Sequence, residues 1–267
     1  MAFKYLYYPL RVLVCLLALA VSSVAYSATF SDLYIFGDSL SDTSAGLSDG
    51  DLWPIYFTPQ VGVSYDAGNN YAVAGATTTH LASQVSSYQA DNITADPNAL
   101  YVVWAGANDI FGGVSATDAA NNLINTINTL SSFGAEKFLV PNMADLGAVP
   151  AGGGLSTLTD ASILFNSTID SAYSASSNVL IADIFGLHHN VLADPSAFGL
   201  TNATDSCLST GADCSTYFIW DNLHPTTVGH SFIADEFVST VVPTPAAVWL
   251  FGSGLLGLVG VARRRKA

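Results

Sequence analysis

The sequence predicts an α/β fold, a mainly parallel sheet flanked by helices, and two observations carry that prediction. Four short apolar runs, at 33–36, 100–105, 137–140 and 179–182, are too brief for helices and rich in β-branched or aromatic residues, as buried strands are. Longer stretches with apolar residues at helical spacing separate or follow them. Strands alternating with helices imply a parallel sheet covered by its crossover helices.

The helices are read from periodicity. In 118–133, Leu123, Ile124, Ile127 and Leu130 share one side of a helix. A similar pattern covers 158–173. A last helix fits 226–238, with Val228, Phe232, Ile233 and Phe237 together. The Gly-rich stretch 144–157 and the polar stretch 193–215 read as loops. In parallel sheets ligands bind beyond the carboxyl ends of the strands, so residues that follow each strand are the candidates for chemistry.

Both ends of the 267-residue chain look like export signals rather than fold. Lys4 and Arg11 precede an apolar run at 12–21, and Ser22, Ser23, Ala25, Ser27 and Ala28 follow. That is the order of a signal peptide, residues 1–27, with cleavage after Ser27 or after Ala25. A retained membrane helix is the alternative, but the run is shorter than the ~20 residues a span needs. At the other end Pro243-Thr244-Pro245 precedes an uncharged stretch at 246–262 and a basic cluster, Arg263-Arg264-Arg265-Lys266. The uncharged stretch is at the short limit for a helical span of about 17–25 residues. Its basic cluster would stay cytoplasmic and leave the rest outside. Residues 28–242 then form one domain, and 243–267 a separate tail.

The charge of that domain is one-sided. The whole chain is at −14, but all 21 Asp and Glu lie between Asp32 and Glu236, where Lys137 is the only Lys or Arg. Such a surface repels nucleic acid and anionic membranes, and binding to either is not expected. Cys15 belongs to the signal, which leaves Cys207 and Cys214 in a polar segment. In an oxidising compartment they read as a local disulfide. A metal pair, the alternative, would want a second pair of ligands nearby, so no metal is expected.

Three segments concentrate chemistry-bearing residues. Gly37-Asp38-Ser39-Leu40-Ser41-Asp42 follows the first strand, Gly106-Ala107-Asn108-Asp109 follows the second, and Asp221-Asn222-Leu223-His224-Pro225 comes near the end of the domain. A serine hydroxyl is a weak nucleophile until a base takes its proton, and the base needs a third group to fix its tautomer. Ser39, His224 and Asp221 fit those parts. The tetrahedral intermediate of acyl transfer needs donors aimed at its oxyanion. The backbone N–H groups of Ser39 and Gly75 and the side-chain amide of Asn108 could supply them.

In these blocks, with Gly75 between the first two, the sequence resembles the GDSL, or SGNH, family of serine esterases and lipases over about 32–238. The resemblance implies a three-layer α/β/α sandwich. It implies Ser39 as nucleophile, Asp221 and His224 completing the triad, and Ser39, Gly75 and Asn108 as the oxyanion hole. It implies an ester substrate, lipid or acylated carbohydrate, and chemistry that calls for no cofactor. The tail, from Val242 through Pro243-Thr244-Pro245 to Lys266, resembles a PEP-CTERM sorting segment, with Thr244 where that pattern usually has Glu. That resemblance implies a signal peptidase and an exosortase-type enzyme as processing partners, membrane insertion of the tail, and display on the surface or in the matrix of a Gram-negative bacterium. A permanent anchor is the alternative.

Other readings compete. Gly46-Leu47-Ser48-Asp49-Gly50 matches the nucleophile elbow of α/β-hydrolases, but that motif needs a buried strand before it, and 41–45 is polar. Asp38 is expected to hold the turn, and Asp109 to brace the Asn108 loop. His188 and His189 read as polar residues after a strand, and His80 and His230 as helical residues without a role. Trp53, Trp104 and Trp220 read as core, the last two near enough to line a cleft. The acidic surface also fits a non-catalytic matrix protein on a hydrolase fold, and the same site fits a polysaccharide O-deacetylase.

Overall fold

At 33–37 the run Leu-Tyr-Ile-Phe-Gly is largely apolar on both faces, and it forms β1 (Leu33–Gly37), at one edge of the main sheet. Three more buried runs become β2 (Leu100–Trp104), β3 (Phe138–Pro141) and β4 (Val179–Ala182). All pair in parallel in the order β1-β2-β3-β4, with Leu33 opposite Leu100 and Gly37 opposite Trp104. The computed structural model describes residues 30–242. The expected signal peptide (1–27) and the expected sorting segment (243–267) lie outside the described residues. Among the described residues no helix is long and apolar enough to cross a membrane.

The helices are α1 (Trp53–Val61), α2 (Leu81–Asp91), α3 (Ala107–Phe111), α4 (Ala116–Phe133), α5 (Ser156–Tyr173), α6 (Ile184–Ala193), α7 (Cys207–Thr210) and α8 (Thr227–Val241). They cover both faces of the sheet. Alternate strand residues Phe36, Tyr101, Val103, Phe138 and Val140 pack with Val85 and Tyr88 of α2, Leu123 and Ile127 of α4, and Phe165 of α5. On the other face Trp53 and Phe57 of α1 meet Phe237 of α8, and the Phe237 ring lies 5.6 Å from that of Trp104. Each fully buried Phe or Leu contributes about 1.5–3 kcal/mol, so this sheet is held from both sides and its carboxyl ends are fixed in space.

The free edge of β1 is occupied by an irregular segment. The Tyr71 N–H donates to Ile35 O (2.8 Å) and the Val73 N–H to Gly37 O (3.1 Å). The chain therefore leaves β1 for one side, then crosses to β2 on the other. The carboxyl ends of β1 and β2 flank that reversal, where α/β sheets place their ligands.

The four predicted strands and three predicted helices are present, with helix starts shifted by one or two residues. The prediction of a loop over 193–215 is corrected. That stretch contains β5 (Asn202–Ser206) and α7, and β5 pairs with β6 (Tyr217–Ile219) in a second, two-stranded sheet. Asn-Ala-Thr-Asp-Ser has only Ala203 and Ser206 buried, so it lacks the hydrophobic alternation that marks a strand. Cys207 and Cys214 are joined as a disulfide, which closes the turn between α7 and β6.

Candidate active site

β1 delivers Ser39 through a tight turn. A Cβ on Gly37 would collide with the backbone oxygen of Trp104, so only glycine lets the strand ends approach this closely. Beyond it the Asp42 N–H donates to Asp38 O (3.0 Å), and the Leu40 N–H donates to the Asp38 carboxylate (3.0 Å). Asp38 thus holds the turn, as expected. The residue is 2% exposed. Burial pushes its pKa up to about 7, the Leu40 N–H opposing and the nearby Asp109 charge assisting. Trp53 lies in the core with its Nε1–H on Ser41 Oγ (3.1 Å).

His224 comes from the segment between β6 and α8. Asp221 Oδ1 accepts the N–H groups of Leu223 and His224, each at 2.7 Å, and folds the segment into a turn. Asp221 Oδ2 lies 2.8 Å from His224 Nδ1, and His224 Nε2 lies 2.8 Å from Ser39 Oγ. With Oδ2 as acceptor the proton belongs on Nδ1, which leaves Nε2 to accept the Ser39 hydroxyl proton. Burial raises the pKa of Asp221, but the N–H donors of His224 and Leu223 outweigh it and hold the carboxyl below the usual range. The Trp220 N–H donates to His224 O (2.8 Å) and braces the turn from behind.

Asn108 stands in the first turn of α3. Gly106 before it has φ 134°, and a Cβ there would meet Phe165 at 2.8 Å and Met143 at 2.9 Å. The Asn108 amide donates to Ala76 O (2.9 Å) and lies 3.5 Å from Asp38 Oδ2. Asp109 accepts the Thr78 N–H and hydroxyl, both at 2.7 Å, which is the predicted brace. Gly75 sits in the same loop at φ 77°, in the left-handed region, and the Ala74 N–H beside it donates to Asp42 (2.9 Å). These bonds tie the Gly75 loop to the turns that carry Ser39 and Asn108.

Ser39, Asn108 and His224 line one cavity together with Trp104, Met143, Leu146, Val149, Ile184, Leu187, Phe218 and Ile233. Its empty space is about 800 Å³, open solvent included. Gly75 and Trp220 are not among its walls. Ser48 donates to Pro225 O (3.1 Å) and has no histidine partner among the described residues, in keeping with a loop rather than a nucleophile. His80 caps a short turn, its Nδ1 accepting the Thr77 N–H (3.0 Å). His230 is buried in α8.

Sequence reasoning missed two residues. Gln84 of α2 bonds the backbone of Gly37, and no motif announces it. His188 and His189 take different environments although they are adjacent. His189 is half-exposed and 3.1 Å from Asp145, whereas His188 is 2% exposed and lines the cavity. The helical period after the strand could have separated them, because His188 falls on the inner side of α6 with Ile184 and Val191.

The family model described as GDSL-like lipase/acylhydrolase matches residues 33–237. Esterase EstA of Pseudomonas aeruginosa is 31% identical over 237 aligned residues, 74% of this chain and 36% of that protein. Lipase 1 of Photorhabdus luminescens is 30% identical over 164, covering 51% of this chain and 25% of that protein. The chain thus spans a quarter to about a third of the length of these two relatives. A member of the lipolytic G-D-S-L family from Veillonella parvula shares the fold, with a TM-score of 0.56, 17% identity, and coverage of 77% of this chain and 94% of that one. From the first strand to the last helix, this chain belongs to the GDSL-like lipase/acylhydrolase family.

Proposed function

We propose that the protein is a serine ester hydrolase that works through an acyl-Ser39 intermediate. The observation that carries this reading is the relay from Asp221 through His224 to Ser39, two 2.8 Å contacts ending at an apolar cavity. His224 Nε2 takes the hydroxyl proton as Ser39 Oγ bonds to the ester carbonyl carbon. The oxyanion is met by the N–H groups of Ser39 and Gly75 and by the Asn108 amide. Asn108 gives one amide hydrogen to Ala76 O, and the other rests on a long 3.5 Å contact to Asp38 Oδ2 that the oxyanion would replace. Protonated His224 then gives its proton to the leaving alcohol, and a water activated by the same nitrogen releases the acid. The cavity walls favour an alkyl acyl group over acetate, which supports esterase or lipase action over deacetylation. The two ends of the sequence support export, processing by a signal peptidase and an exosortase-type enzyme, and a place at the cell surface.

The test compares the full chain with Ser39→Ala on p-nitrophenyl esters from acetate to palmitate. We expect turnover by the wild type, an optimum beyond acetate, and loss of at least a thousandfold in kcat in the variant. A folded wild type that cleaves no ester and takes no serine-reactive probe would return the non-catalytic matrix protein.

A further inference from the structure

Ser39 and His224 belong to different sheets. Ser39 follows β1 of the four-stranded sheet. The His224 turn is tied to β6 of the two-stranded one, by the Thr226 N–H on Phe218 O (2.9 Å) and the Trp220 N–H on His224 O (2.8 Å). Among the described residues no strand pairing joins the two sheets, so no ladder sets the 2.8 Å between Ser39 Oγ and His224 Nε2. Packing of Phe237 on Trp104 holds α8 to the main sheet, but it lies well along the helix from His224, and apolar contact is non-directional. Directional contacts come instead from residues 48–51, whose first three complete the Gly46–Gly50 stretch that imitates a nucleophile elbow. The Ser48 hydroxyl donates to Pro225 O (3.1 Å). Asp49 Oδ1 accepts the Thr227 N–H (2.7 Å), a first-turn donor of α8 that the helix itself cannot satisfy. The Thr227 hydroxyl donates to Asp51 O (2.9 Å). Gly50 lies so near that a Cβ on it would stand 2.9 Å from Thr227 Oγ1. The same loop begins beside the nucleophile, where Ser41 Oγ accepts the Trp53 Nε1–H (3.1 Å) and Asp42 accepts the Ala74 N–H (2.9 Å). One segment is thus fastened at its start next to Ser39 and at its end to the chain that follows His224.

We propose that Ser48 and Asp49 are positioning residues for the catalytic base: through Pro225 and Thr227 they hold the His224 ring in line with Ser39 Oγ. The inference rests on the serine hydrolase reading above and adds two residues to it. Neither side chain lines the cavity, so neither meets the ester. Asp221 and Trp220 fix the His224 turn on its own sheet, and the Ser48 and Asp49 bonds fix that turn against the segment that carries the nucleophile. A misplacement of about 1 Å between reacting groups costs up to about a hundredfold in rate. His224 serves both acylation and deacylation, so loosening it slows the two steps together. Met143, Leu146, Val149 and Ile184, which wall the cavity, come from other segments and stay in place. The loss should therefore fall on kcat and leave KM nearly alone.

The experiment uses the full chain and its Ser48→Ala, Asp49→Ala, Asp49→Asn and Ser48→Ala/Asp49→Ala variants. It measures kcat and KM on p-nitrophenyl butyrate, the rate of Ser39 labelling by a fluorophosphonate probe, and urea unfolding of each variant. The double variant should lose about tenfold or more in kcat, with KM within about twofold of wild type and labelling slowed in parallel. Asp49→Asn keeps an oxygen that accepts the Thr227 N–H, so it should retain most of the rate that Asp49→Ala loses. Wild-type kcat and labelling in a folded double variant would overturn the inference and leave the hydrolase standing. A raised KM at unchanged kcat would do the same, as would an Asp49→Asn as slow as Asp49→Ala. Should the double variant not fold, the exposed Asp49 and its neighbour are tested singly, and wild-type kcat in both alanine variants overturns the inference. No turnover and no labelling in folded wild type would overturn the hydrolase reading and the inference with it.

Discussion

The side-chain amide of Gln84 closes a two-bond ring with the backbone of Gly37: its Oε1 accepts the Gly37 N–H at 2.9 Å and its Nε2 donates to Gly37 O at 2.7 Å. Gln84 stands in for a strand at the point where β1 ends and the turn to Ser39 begins. The irregular segment beyond reaches only the oxygen, through the Val73 N–H at 3.1 Å. A glycine with no side chain to pack is thus fixed by a helix 47 residues away, and the fixed point lies two residues before the nucleophile.

Gln84→Leu should therefore cost both stability and rate. The change leaves the buried Gly37 N–H without a partner, while Gly37 O keeps Val73. An orphaned buried donor costs about 1–3 kcal/mol, which urea unfolding would report as a lower midpoint at unchanged slope. The loosened turn should also lower kcat several-fold. Gln84→Glu keeps the acceptor but sets a carboxylate oxygen against Gly37 O, and should be destabilised as well. Wild-type midpoints in both variants would show that the ring does not support the turn.

Asp38 makes stability depend on pH in a direction opposite to most carboxylates. Burial raises its pKa from 3.8 to about 7 in the folded protein. Between those values the folded state holds a proton that the unfolded chain releases, so stability falls as pH rises. The contribution is complete below about pH 4 and is lost as pH climbs through about 7. At its limit it is on the order of 4 kcal/mol. Other carboxylates, such as Asp221 and Asp145, have lowered pKa values and act in the opposite sense, so the quantity to measure is the difference between wild type and Asp38→Asn. Relative to this uncharged variant, wild type should lose ground steadily from pH 4 to 7 in urea unfolding. A difference that stays flat across that window would mean that Asp38 ionises normally.

Much of this site is legible in the sequence because its parts are local. Gly37-Asp38-Ser39 follows an apolar strand, and Asp221 reaches His224 across three residues within one turn. Asn108 follows the second strand, with Gly106 marking the strained backbone before it. What is not legible depends on distance or on weak patterns. Gln84 reaches Gly37 by tertiary packing of a helix whose Leu81, Val85 and Tyr88 are diluted by Ser and Gln. β5 escapes because its polar residues gain order from β6 and the Cys207–Cys214 bridge rather than from a hydrophobic face. α1 escapes because Pro54 and Pro59 read as breakers, although one stands in the first turn, where it is tolerated.

The relay is tested most sharply at its far end. Asp221→Asn preserves the size of the side chain, and its amide oxygen can still accept the N–H groups of Leu223 and His224, which Asp221 Oδ1 holds at 2.7 Å. Its NH₂ then faces His224 Nδ1 and must be accepted there, which moves the ring proton to Nε2. That nitrogen now points an N–H at Ser39 Oγ and cannot take the hydroxyl proton. Turning the amide over would restore the tautomer, but it would set the NH₂ against two backbone N–H groups and break the turn. Either way the base is lost while the fold remains, so kcat should fall by on the order of 10³–10⁴. The unfolding free energy should change little if the first arrangement is adopted and drop by about 1–3 kcal/mol if the second is. Measuring kcat and urea unfolding on the same preparation separates these arrangements. Near-wild-type kcat in a folded Asp221→Asn would instead show that His224 does not need this carboxylate to act on Ser39.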